Sequence, residues 1–368
     1  MSILADVIVI GGGMAGISAA AEIAADARVV VLEAEQSIGY HASGRTAAIF
    51  IRNYGNETLR ALNSIAEGFF LNPEGVSDTS LLTPRGQLMF AHESDLDALD
   101  IYLQGAEEME ILTPKEAGKL VPILKADLIV KGAYEKTAQD IDVDRMLQGY
   151  QRLLKLRQGT VVTGAAVTDI RYRGKAWHIE AGGEHYQAQI VINAAGAWVD
   201  EIARKAKVTP VGAKPLRRSA AILPKPDIDG FDKWPLFVSA SESFYAKPEA
   251  GTLMVSPADE DPVEPHDAWA DDMVLAEGLH RFEEATTMAV TRLEHSWAGL
   301  RTFTHDKTPV VGFAPDADGF FWLAGQGGYG IQTAPALSKL TADLIFNRQS
   351  DVNETVKRAL SAERFIGP

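Results

Sequence analysis

Three glycines near the start of the chain have the spacing of a phosphate-binding turn. Gly11, Gly13 and Gly16 fit the pattern G-x-G-x-x-G directly after the apolar run Val7–Ile10. In such a turn the first glycine allows a sharp bend, the second lets the backbone approach a pyrophosphate, and the third lets the next helix pack closely. The helix N-terminus adds free N–H groups and a partial positive charge. The spacing therefore predicts a dinucleotide site.

An acidic residue and a second glycine loop narrow the choice of dinucleotide. Glu33 follows the next apolar run, 33 − 11 = 22 residues after Gly11. A carboxylate there can accept hydrogen bonds from ribose hydroxyls, and it repels the 2′-phosphate of NADP. A further glycine-rich loop spans residues 325–332. Two loops so far apart in sequence favour a long, enclosed FAD over NAD, although the fingerprint alone fits either, or a turn that binds nothing.

The composition excludes several classes of chemistry. The 368 residues include 35 basic and 50 acidic side chains, a formal charge of −15, and no cysteine. Without thiols there is no disulfide, thiolate metal site, iron–sulfur cluster or thioether link, and no metal site is predicted. So acidic a chain is a poor candidate for binding nucleic acid or an anionic membrane. No run reaches the roughly 20 apolar residues of a transmembrane helix, which leads us to expect a cytoplasmic protein.

Around the fingerprint, the pattern predicts a βαβ unit. Val7–Ile10 and residues 28–32 are short, apolar and rich in β-branched side chains, as expected of buried parallel strands. The alanine-rich residues 14–25 between them favour a helix. Further on, the apolar spacing of residues 145–157 predicts another helix, with Asp144 as its N-cap.

The rest of the chain suggests a second, inserted domain. Residues 161–170 and 189–193 are predicted strands, residues 244–257 a hairpin, and residues 275–288 a helix. The segment FFWLAGQGGYGIQT repeats the order of strand, glycine loop and helix. The predicted fold is α/β and α+β: a discontinuous Rossmann-like FAD-binding domain with an inserted antiparallel-sheet substrate domain. We assign residues 1–82, 140–207 and 297–368 to the first, and residues 83–139 and 208–296 to the second.

Seven short segments, spread in order over nearly the whole chain, resemble segments of one known protein family. They read DVIVIGGGMAGIS, VVVLE, GYHASGRTAA, INAAGAW, ESFYAKPEAG, HSWAGLRTF and FFWLAGQGGYGIQT. Together they resemble the D-amino acid oxidase-type family of FAD-dependent oxidoreductases, most closely its bacterial D-arginine dehydrogenase-like branch. The resemblance implies FAD as the cofactor, held without a covalent bond unless a histidine supplies one.

The resemblance also implies which residues border the cofactor. Ser43 and Arg45 are expected beside the pyrophosphate, although Arg45 could instead form a surface ion pair. Val167 is expected against the adenine. Backbone N–H groups at the start of the last long helix are expected to stabilise the charge of the reduced ring. The implied set is Gly11, Gly13, Met14, Ala15, Gly16, Glu33, Ala34, Ser43, Gly44, Arg45, Thr46, Ala47, Val167, Ala195, Gly196, Trp198, Arg301, Gly327, Gly328, Tyr329, Gly330, Ile331 and Gln332.

By the same resemblance, five residues form the catalytic site. Arg218 and Arg301 are expected to grip the substrate carboxylate, because the planar guanidinium binds carboxylates in bidentate fashion. Tyr245 adds a phenolic donor, and Tyr54 and the carbonyl of Gly328 orient the amine. The sequence leaves open whether Arg217 points inwards instead of Arg218, and whether either tyrosine is an ordinary buried aromatic.

The residues expected around the substrate side chain depart from the D-arginine-preferring branch. Where that branch has an acidic residue, this chain has Gln87, and Ile49 and Ile51 replace polar residues. An amide offsets the desolvation of a guanidinium less well than a carboxylate does. We therefore expect a preference for neutral or apolar side chains, while the direction of the nearby Arg52 stays open.

The expected reaction is oxidation of a D-amino acid by hydride transfer from Cα to flavin N5, followed by hydrolysis to a 2-oxo acid and ammonia. One alternative is an N-substituted amino acid such as sarcosine, an opine or an imino acid. Another is a flavin-binding subunit without turnover. The electron acceptor could be O₂, a quinone or a carrier protein, and no motif distinguishes them.

Overall fold

The computed structural model describes residues 2–365, which contain four β-sheets. Its helices are α1 (Met14–Ile23), α2 (Glu57–Leu71), α3 (Leu96–Leu103), α4 (Pro114–Leu120), α5 (Val143–Leu156), α6 (Val199–Ala206), α7 (Asp272–Ala285), α8 (Gly330–Ile345) and α9 (Glu354–Leu360). Its strands are β1 (Ile3–Leu4), β2 (Val7–Ile10), β3 (Val29–Leu32), β4 (Ile49–Phe50), β5 (Leu82–Pro84), β6 (Gln87–Ala91), β7 (Glu110–Leu112), β8 (Lys131–Glu135), β9 (Gln139–Ile141), β10 (Thr160–Val162), β11 (Val167–Arg173), β12 (Ala176–Ala181), β13 (Glu184–Ala188), β14 (Ile190–Asn193), β15 (Lys214–Leu223), β16 (Leu236–Ser239), β17 (Tyr245–Glu249), β18 (Thr252–Ser256), β19 (Asp261–Pro262), β20 (His295–Phe303), β21 (Val310–Phe313) and β22 (Phe320–Ala324).

The predicted βαβ unit lies at the centre of a six-stranded sheet. The strand order is β10-β3-β2-β14-β22-β21, and every pairing is parallel except that of β21 with β22. Val7 and Val9 of β2 face a core formed with α1, α5 and α8. Ile8 and Ile10 face the opposite core, towards the β11–β13 sheet and α6. Both faces of β2 are buried, which explains its unbroken apolar sequence.

Two predicted boundaries along this half of the chain are wrong in detail. Helix α5 begins at Val143, and its N-cap is Asp142 and not Asp144. The Asp142 side chain accepts a hydrogen bond from the Arg145 N–H at 3.0 Å. The predicted strand 161–170 is two strands, β10 and β11. A turn separates them, with Gly164 at φ +64°, a conformation that glycine adopts without strain.

The second large sheet is mostly antiparallel, as predicted. Its order is β19-β15-β18-β17-β16-β6-β8-β7. Strands β18 and β19 pair with different parts of β15, and β20 also pairs with β15. Only β6 and β16 run parallel to each other. The predicted hairpin is confirmed as β17 and β18. Ala250 and Gly251 at its turn both have positive φ, at 47° and 78°, which suits the right-handed twist of the strands.

The proposed domain boundaries at 82/83, 139/140 and 296/297 fall inside strands β5, β9 and β20. All nine residues of β20 pair with β15 of the large sheet. The boundary at 296/297 thus divides a strand that pairs throughout with the large sheet, and the domain division stays a prediction. Within residues 2–365, no helix is long and apolar enough to cross a membrane.

Candidate active site

One continuous cleft begins at the carboxyl ends of strands β2, β3 and β14, where ligands of open α/β sheets bind. Its first part, the nucleotide cavity, encloses about 350 Å³ and is bordered by Gly11, Glu33 and Val167. A middle cavity of about 150 Å³ shares Gly13, Ser43, Arg45, Ala194 and Gly196 with it, among others. The inner pocket of about 90 Å³ shares Thr46, Ala47, Arg218, Tyr245, Arg301, Gly328 and Ile331 with the middle cavity.

The fingerprint glycines form a turn with no space for side chains. Gly11 has φ +110°, and a Cβ there would lie 2.4 Å from the Ala194 carbonyl oxygen. A Cβ on Gly16 would lie 2.0 Å from the carbonyl oxygen of Gly11. The turn therefore exposes bare backbone to the cleft at the N-terminus of α1, as a pyrophosphate site requires. The Met14 N–H is already donated to Ser43 Oγ at 2.9 Å, so these two residues serve the turn itself.

Glu33 is held rigidly on the wall of the nucleotide cavity. It is 8% exposed, and its two carboxylate oxygens accept hydrogen bonds from the N–H groups of Gly12 and Glu35. Each carboxylate oxygen has a second lone pair. The side chain can therefore still accept from ribose hydroxyls.

Arg45 lies on the cleft wall, but its guanidinium is committed to protein acceptors. It donates to the carbonyls of Tyr40 and Ala268 at 3.2 and 2.9 Å and forms an ion pair with Asp267. The ion pair that the sequence left open for Arg45 is therefore present, and the position of Arg45 beside a bound pyrophosphate stays a prediction. The acceptors Ala268 and Asp267 come from a segment more than 200 residues away in sequence, which is why the sequence pattern did not indicate them.

Most of the remaining cofactor candidates border the cleft, and two of them have a polar group paired within the protein. The Tyr329 N–H is donated to Gln326 O at 2.9 Å, so it is not available to a ligand. The Gln332 side-chain amide pairs with the backbone N–H and carbonyl of Ile51, both at 3.2 Å, and fixes that segment. A Cβ on Gly44 would lie 2.5 Å from the Gly39 carbonyl oxygen, so this close approach requires a glycine. The other cofactor candidates that line the cleft are Met14, Ala15, Ala34, Thr46, Ala47, Ala195, Gly196, Trp198, Gly327, Gly328, Gly330 and Ile331.

The loop before α8 also brings bare backbone to the cleft. Gly327 has φ +53°, and a Cβ there would overlap the Phe303 ring at 2.1 Å. The first N–H groups of α8, at Gly330 and Ile331, have no partner inside the helix because of their position. With two glycine turns, two helix N-termini and a ribose acceptor along one elongated cleft, the residues fit a dinucleotide such as FAD.

Arg301 is a cation of the inner pocket for which residues 2–365 supply no hydrogen-bond or ion-pair partner. Gly328 lies next to both Arg301 and Tyr54. A Cβ added to Gly328 would be 3.1 Å from Arg301 Nη1 and 3.3 Å from the Tyr54 hydroxyl. Burial lowers the pKa of Arg301, but Tyr245, Tyr54 and Glu242 outweigh burial and raise it. The pocket thus holds a permanent positive charge that needs an anionic partner.

Arg218, not Arg217, faces this pocket. It is 8% exposed, donates from Nε to the Asp259 carbonyl at 2.8 Å, and pairs through Nη2 with Glu260 at 3.0 Å. Arg217 points to the other side of β15, where it pairs with Asp261 at 3.0 Å. The alternation of side chains along a strand separates the two neighbours.

The two tyrosines of the pocket differ in acidity. Burial raises the pKa of Tyr54. Burial would also raise the pKa of Tyr245, but the cations Arg301 and Arg218 outweigh burial and lower that pKa. Tyr245 is therefore the first of the two phenols to ionise as the pH rises.

The side-chain end of the pocket is apolar with one amide. Ile49, Ile51 and Gln87 lie there as expected. Gln87 is 3% exposed; its Nε2 donates to the Tyr102 hydroxyl at 3.3 Å, and its Oε1 has no partner among the described residues. Arg52 points away from the pocket, to Glu67 at 2.6 Å.

Sequence reasoning missed other residues of the inner pocket. Glu242, at the rim with φ 52°, is exposed and carries the only carboxylate among the described residues that line this pocket. Glu242 belongs to the segment ESFYAKPEAG, three residues before Tyr245, so its place in the sequence could have indicated that it lies at the pocket. Nothing local marked the remaining residues. Met89, Leu236 and Val238 come from strands β6 and β16, and Tyr102 comes from helix α3.

Comparisons with known proteins agree with this architecture. A family model described as "DAO: FAD dependent oxidoreductase" matches residues 6–344. Glycine oxidase of Geobacillus kaustophilus (strain HTA426) is 24% identical over 373 residues, covering 94% of each chain. Its crystal structure aligns with a TM-score of 0.84 over 99% of this chain and 100% of that one, at 21% identity.

Two other similar proteins have different names. Glycerol 3-phosphate dehydrogenase of Caloramator mitchellensis is 26% identical over 372 residues, covering 93% of this chain and 74% of that protein. L-proline dehydrogenase from P. horikoshii aligns with a TM-score of 0.86 at 19% identity, over 100% of this chain and 99% of that chain. The family match spans both halves of the cleft. This chain is a member of the DAO family of FAD-dependent oxidoreductases.

Proposed function

We propose that the protein oxidises a D-amino acid with a neutral or apolar side chain to the 2-oxo acid and ammonia. The observation that carries this proposal is the unpaired Arg301 guanidinium in the inner pocket, next to the middle cavity. Arg301 is half-buried and has no partner among the described residues, so its charge is only partly hydrated and an anionic ligand would stabilise it. An α-carboxylate is such a ligand.

The carboxylate is gripped from two sides in this account. Arg301 approaches it from the Gly328 side and Arg218 from the Tyr245 side, with the Arg218 Cζ 5.8 Å from the Tyr245 ring centre. Tyr245 donates its hydroxyl to the same group. Charge-assisted bonds from guanidinium to carboxylate are short and directional, so they fix the orientation of the substrate.

The amine is oriented at the opposite end of the grip. The Tyr54 hydroxyl and the Gly328 carbonyl accept its hydrogens, and the Tyr54 ring is itself packed on Tyr329 at 4.7 Å between centres. A neutral amine is the reactive form, because its lone pair supports removal of hydride from Cα. Bound FAD supplies the two-electron acceptor. No side chain is required as a base once the amine is neutral.

The pocket wall supports the choice of side chain. Ile49 and Ile51 offer apolar contact and Gln87 a neutral hydrogen-bonding group, which favours neutral side chains over the guanidinium of arginine. The preference for the D-isomer rests on the sequence blocks shared with the D-arginine dehydrogenase-like branch.

A second candidate is an N-substituted or cyclic amino acid. It is favoured by the structural likeness to an enzyme named L-proline dehydrogenase and by the small size of the inner pocket, about 90 Å³. Such substrates need the same carboxylate grip and differ at the amine. A flavin-binding subunit without turnover would need no such grip.

Anaerobic reduction of the bound flavin distinguishes these functions. The FAD-loaded protein is mixed with D- and L-alanine, D- and L-leucine, sarcosine, L-proline and glycerol 3-phosphate, and the visible absorbance of the flavin is followed. We expect bleaching by the D-isomers. Bleaching only by sarcosine or proline would favour the second candidate. Bleaching only by glycerol 3-phosphate, or by none of the compounds, would overturn both.

A further inference from the structure

A pair of polar side chains, Gln87 and Tyr102, lies at one end of the inner pocket. Both residues line this pocket, and neither borders the middle cavity, which Arg218 and Arg301 also line. The pair is therefore on the side of the pocket away from the proposed carboxylate grip. Its neighbours on the pocket wall are apolar: Ile49, Met89, Leu236 and Val238. The hydrogen bonds that a substrate side chain can make at this end are thus those of Gln87 and Tyr102.

Gln87 has a polar atom that the protein leaves without a partner. The residue is 3% exposed, its Nε2 donates to the Tyr102 hydroxyl at 3.3 Å, and its Oε1 has no hydrogen bond among the described residues. Backbone pairing with Leu236 on one side and Glu135 on the other fixes the position of Gln87. A buried amide oxygen without a partner costs free energy, which a ligand that donates to it would recover.

The Tyr102 hydroxyl has a hydrogen-bonding capacity that is also unused. The hydroxyl oxygen accepts from Gln87, and within residues 2–365 its own proton has no acceptor. Burial and the nearby Glu135 raise the pKa of Tyr102, so the hydroxyl keeps this proton at neutral pH. Arg60 holds the residue in place, because its Nη2 donates to the Tyr102 carbonyl at 3.1 Å and its Cζ lies 6.0 Å from the ring centre. The pair therefore offers the pocket one acceptor and one donor.

The same balance holds if the Gln87 amide is rotated by 180°. Oε1 then accepts from the Tyr102 hydroxyl, Nε2 becomes the free donor, and a lone pair of the hydroxyl becomes the free acceptor. A guanidinium or an ammonium group only donates and a carboxylate only accepts, so each leaves one member of the pair unmatched. A hydroxyl or a carboxamide both donates and accepts, and it matches both members.

We propose that Gln87 and Tyr102 select a short, neutral substrate side chain that carries a carboxamide or a hydroxyl group. The volume of the inner pocket, about 90 Å³, restricts the length of this side chain. An apolar side chain of the same shape leaves both polar groups unpaired, and sites built for hydrogen bonds discriminate strongly against such analogues. The proposal rests on the proposed function and narrows its substrates to the polar members of the neutral class.

Binding without turnover is the first test. Succinamate and 4-methylpentanoate correspond to asparagine and leucine without the amine, and their side chains have nearly the same shape. Their dissociation constants for the FAD-loaded protein are measured by perturbation of the flavin absorbance. We expect succinamate to bind more tightly by about tenfold or more. Equal binding of the two compounds, or tighter binding of 4-methylpentanoate, would overturn the proposal.

Two variants test the two polar groups. Tyr102→Phe removes the hydroxyl and keeps the ring, and Gln87→Met removes the amide. Each should reduce the ratio of the two dissociation constants by about tenfold or more, and this ratio cancels effects on the carboxylate grip that both compounds share. Tyr134→Phe is the matched control, because Tyr134 packs against a different core that contains Leu88 and Phe237; its ratio should be that of the unmodified protein. An unchanged ratio in Tyr102→Phe or in Gln87→Met would overturn the proposal.

Anaerobic flavin reduction by two pairs of similarly shaped substrates identifies the preferred group. D-asparagine is compared with D-leucine for the carboxamide, and D-homoserine with D-norvaline for the hydroxyl. A kcat/KM about tenfold or more higher for the polar member of either pair supports the proposal and names the group. No preference for the polar member in either pair would overturn it, while reduction by D-alanine would leave the proposed function intact. Failure of the proposed function is recognised separately, by the lack of flavin reduction with every amino acid.

Discussion

Four arginines near the cleft differ in their partners, and the partners determine what each can do. Arg45 is paired with Asp267 and Arg52 with Glu67. Arg217 is paired with Asp261 outside the cleft. Arg301 alone among these four has no protein partner within residues 2–365. Residue type and spacing could predict which arginines lie near the cleft. They could not predict the direction of each side chain, because its acceptors come from segments that are distant in sequence.

At the residue scale, the lowered pKa of Tyr245 predicts a pH dependence of carboxylate binding. As the pH rises through that pKa, the phenol loses its donor proton and becomes an anion beside the carboxylate. We expect the dissociation constant of acetate, measured by perturbation of the flavin absorbance, to increase as the pH rises through that pKa, by up to about tenfold per pH unit.

The matched variant for this prediction is Tyr245→Phe. It removes a hydrogen bond to a charged group, so acetate should bind roughly tenfold more weakly at neutral pH. Its alkaline limb should be absent. If Tyr245→Phe retains the same increase at high pH, another group causes it and the assigned role of Tyr245 is wrong.

At the scale of elements, local signals predicted the glycine turns, the βαβ unit and the β17–β18 hairpin. Gly16 could be placed because it packs on Gly11, five residues before it, whereas Gly11 was marked by the spacing of the motif alone, since it packs on the distant Ala194. The ion pair of Asp267 with Arg45 could not be predicted, since it spans 222 residues of sequence. Leu236 and Val238 reach the pocket only because β16 runs parallel to β6, a pairing that periodicity does not specify.

The pairing of β6 with β8 sharpens a prediction on substrate preference. Gln87 lies directly opposite Glu135, and burial raises the pKa of Glu135. Replacement of Gln87 by glutamate would place two carboxylates together and favour the protonated form of one. We therefore expect Gln87→Glu to increase kcat/KM for D-arginine relative to D-leucine by about tenfold, with the larger effect at higher pH.

Gln87→Met is the control for this change, since it removes the amide without adding a charge. It should leave D-arginine disfavoured at every pH. If Gln87→Glu has the same ratio of kcat/KM for D-arginine to that for D-leucine as the unmodified protein at every pH, position 87 does not contact the substrate side chain.

At the scale of the whole molecule, the cleft lies where the parallel sheet meets the large mixed sheet. The sequence predicted two units of these classes, because β-branched runs and glycine turns mark the parallel sheet. It did not predict that β20 pairs along its whole length with β15, which brings Arg301 to Arg218. The charge of −15 describes the surface, whereas the inner pocket is locally cationic.

The central claim is that one cleft holds FAD at one end and a substrate carboxylate at the other. The most direct measurement is the flavin content and the anaerobic flavin reduction of Arg301→Met, with Arg52→Met as a control whose side chain points away from the pocket. We predict full FAD content in both variants, and a rise of about 100-fold or more in the D-amino acid concentration required for reduction in Arg301→Met only. Reduction of Arg301→Met at the original substrate concentration would contradict the account.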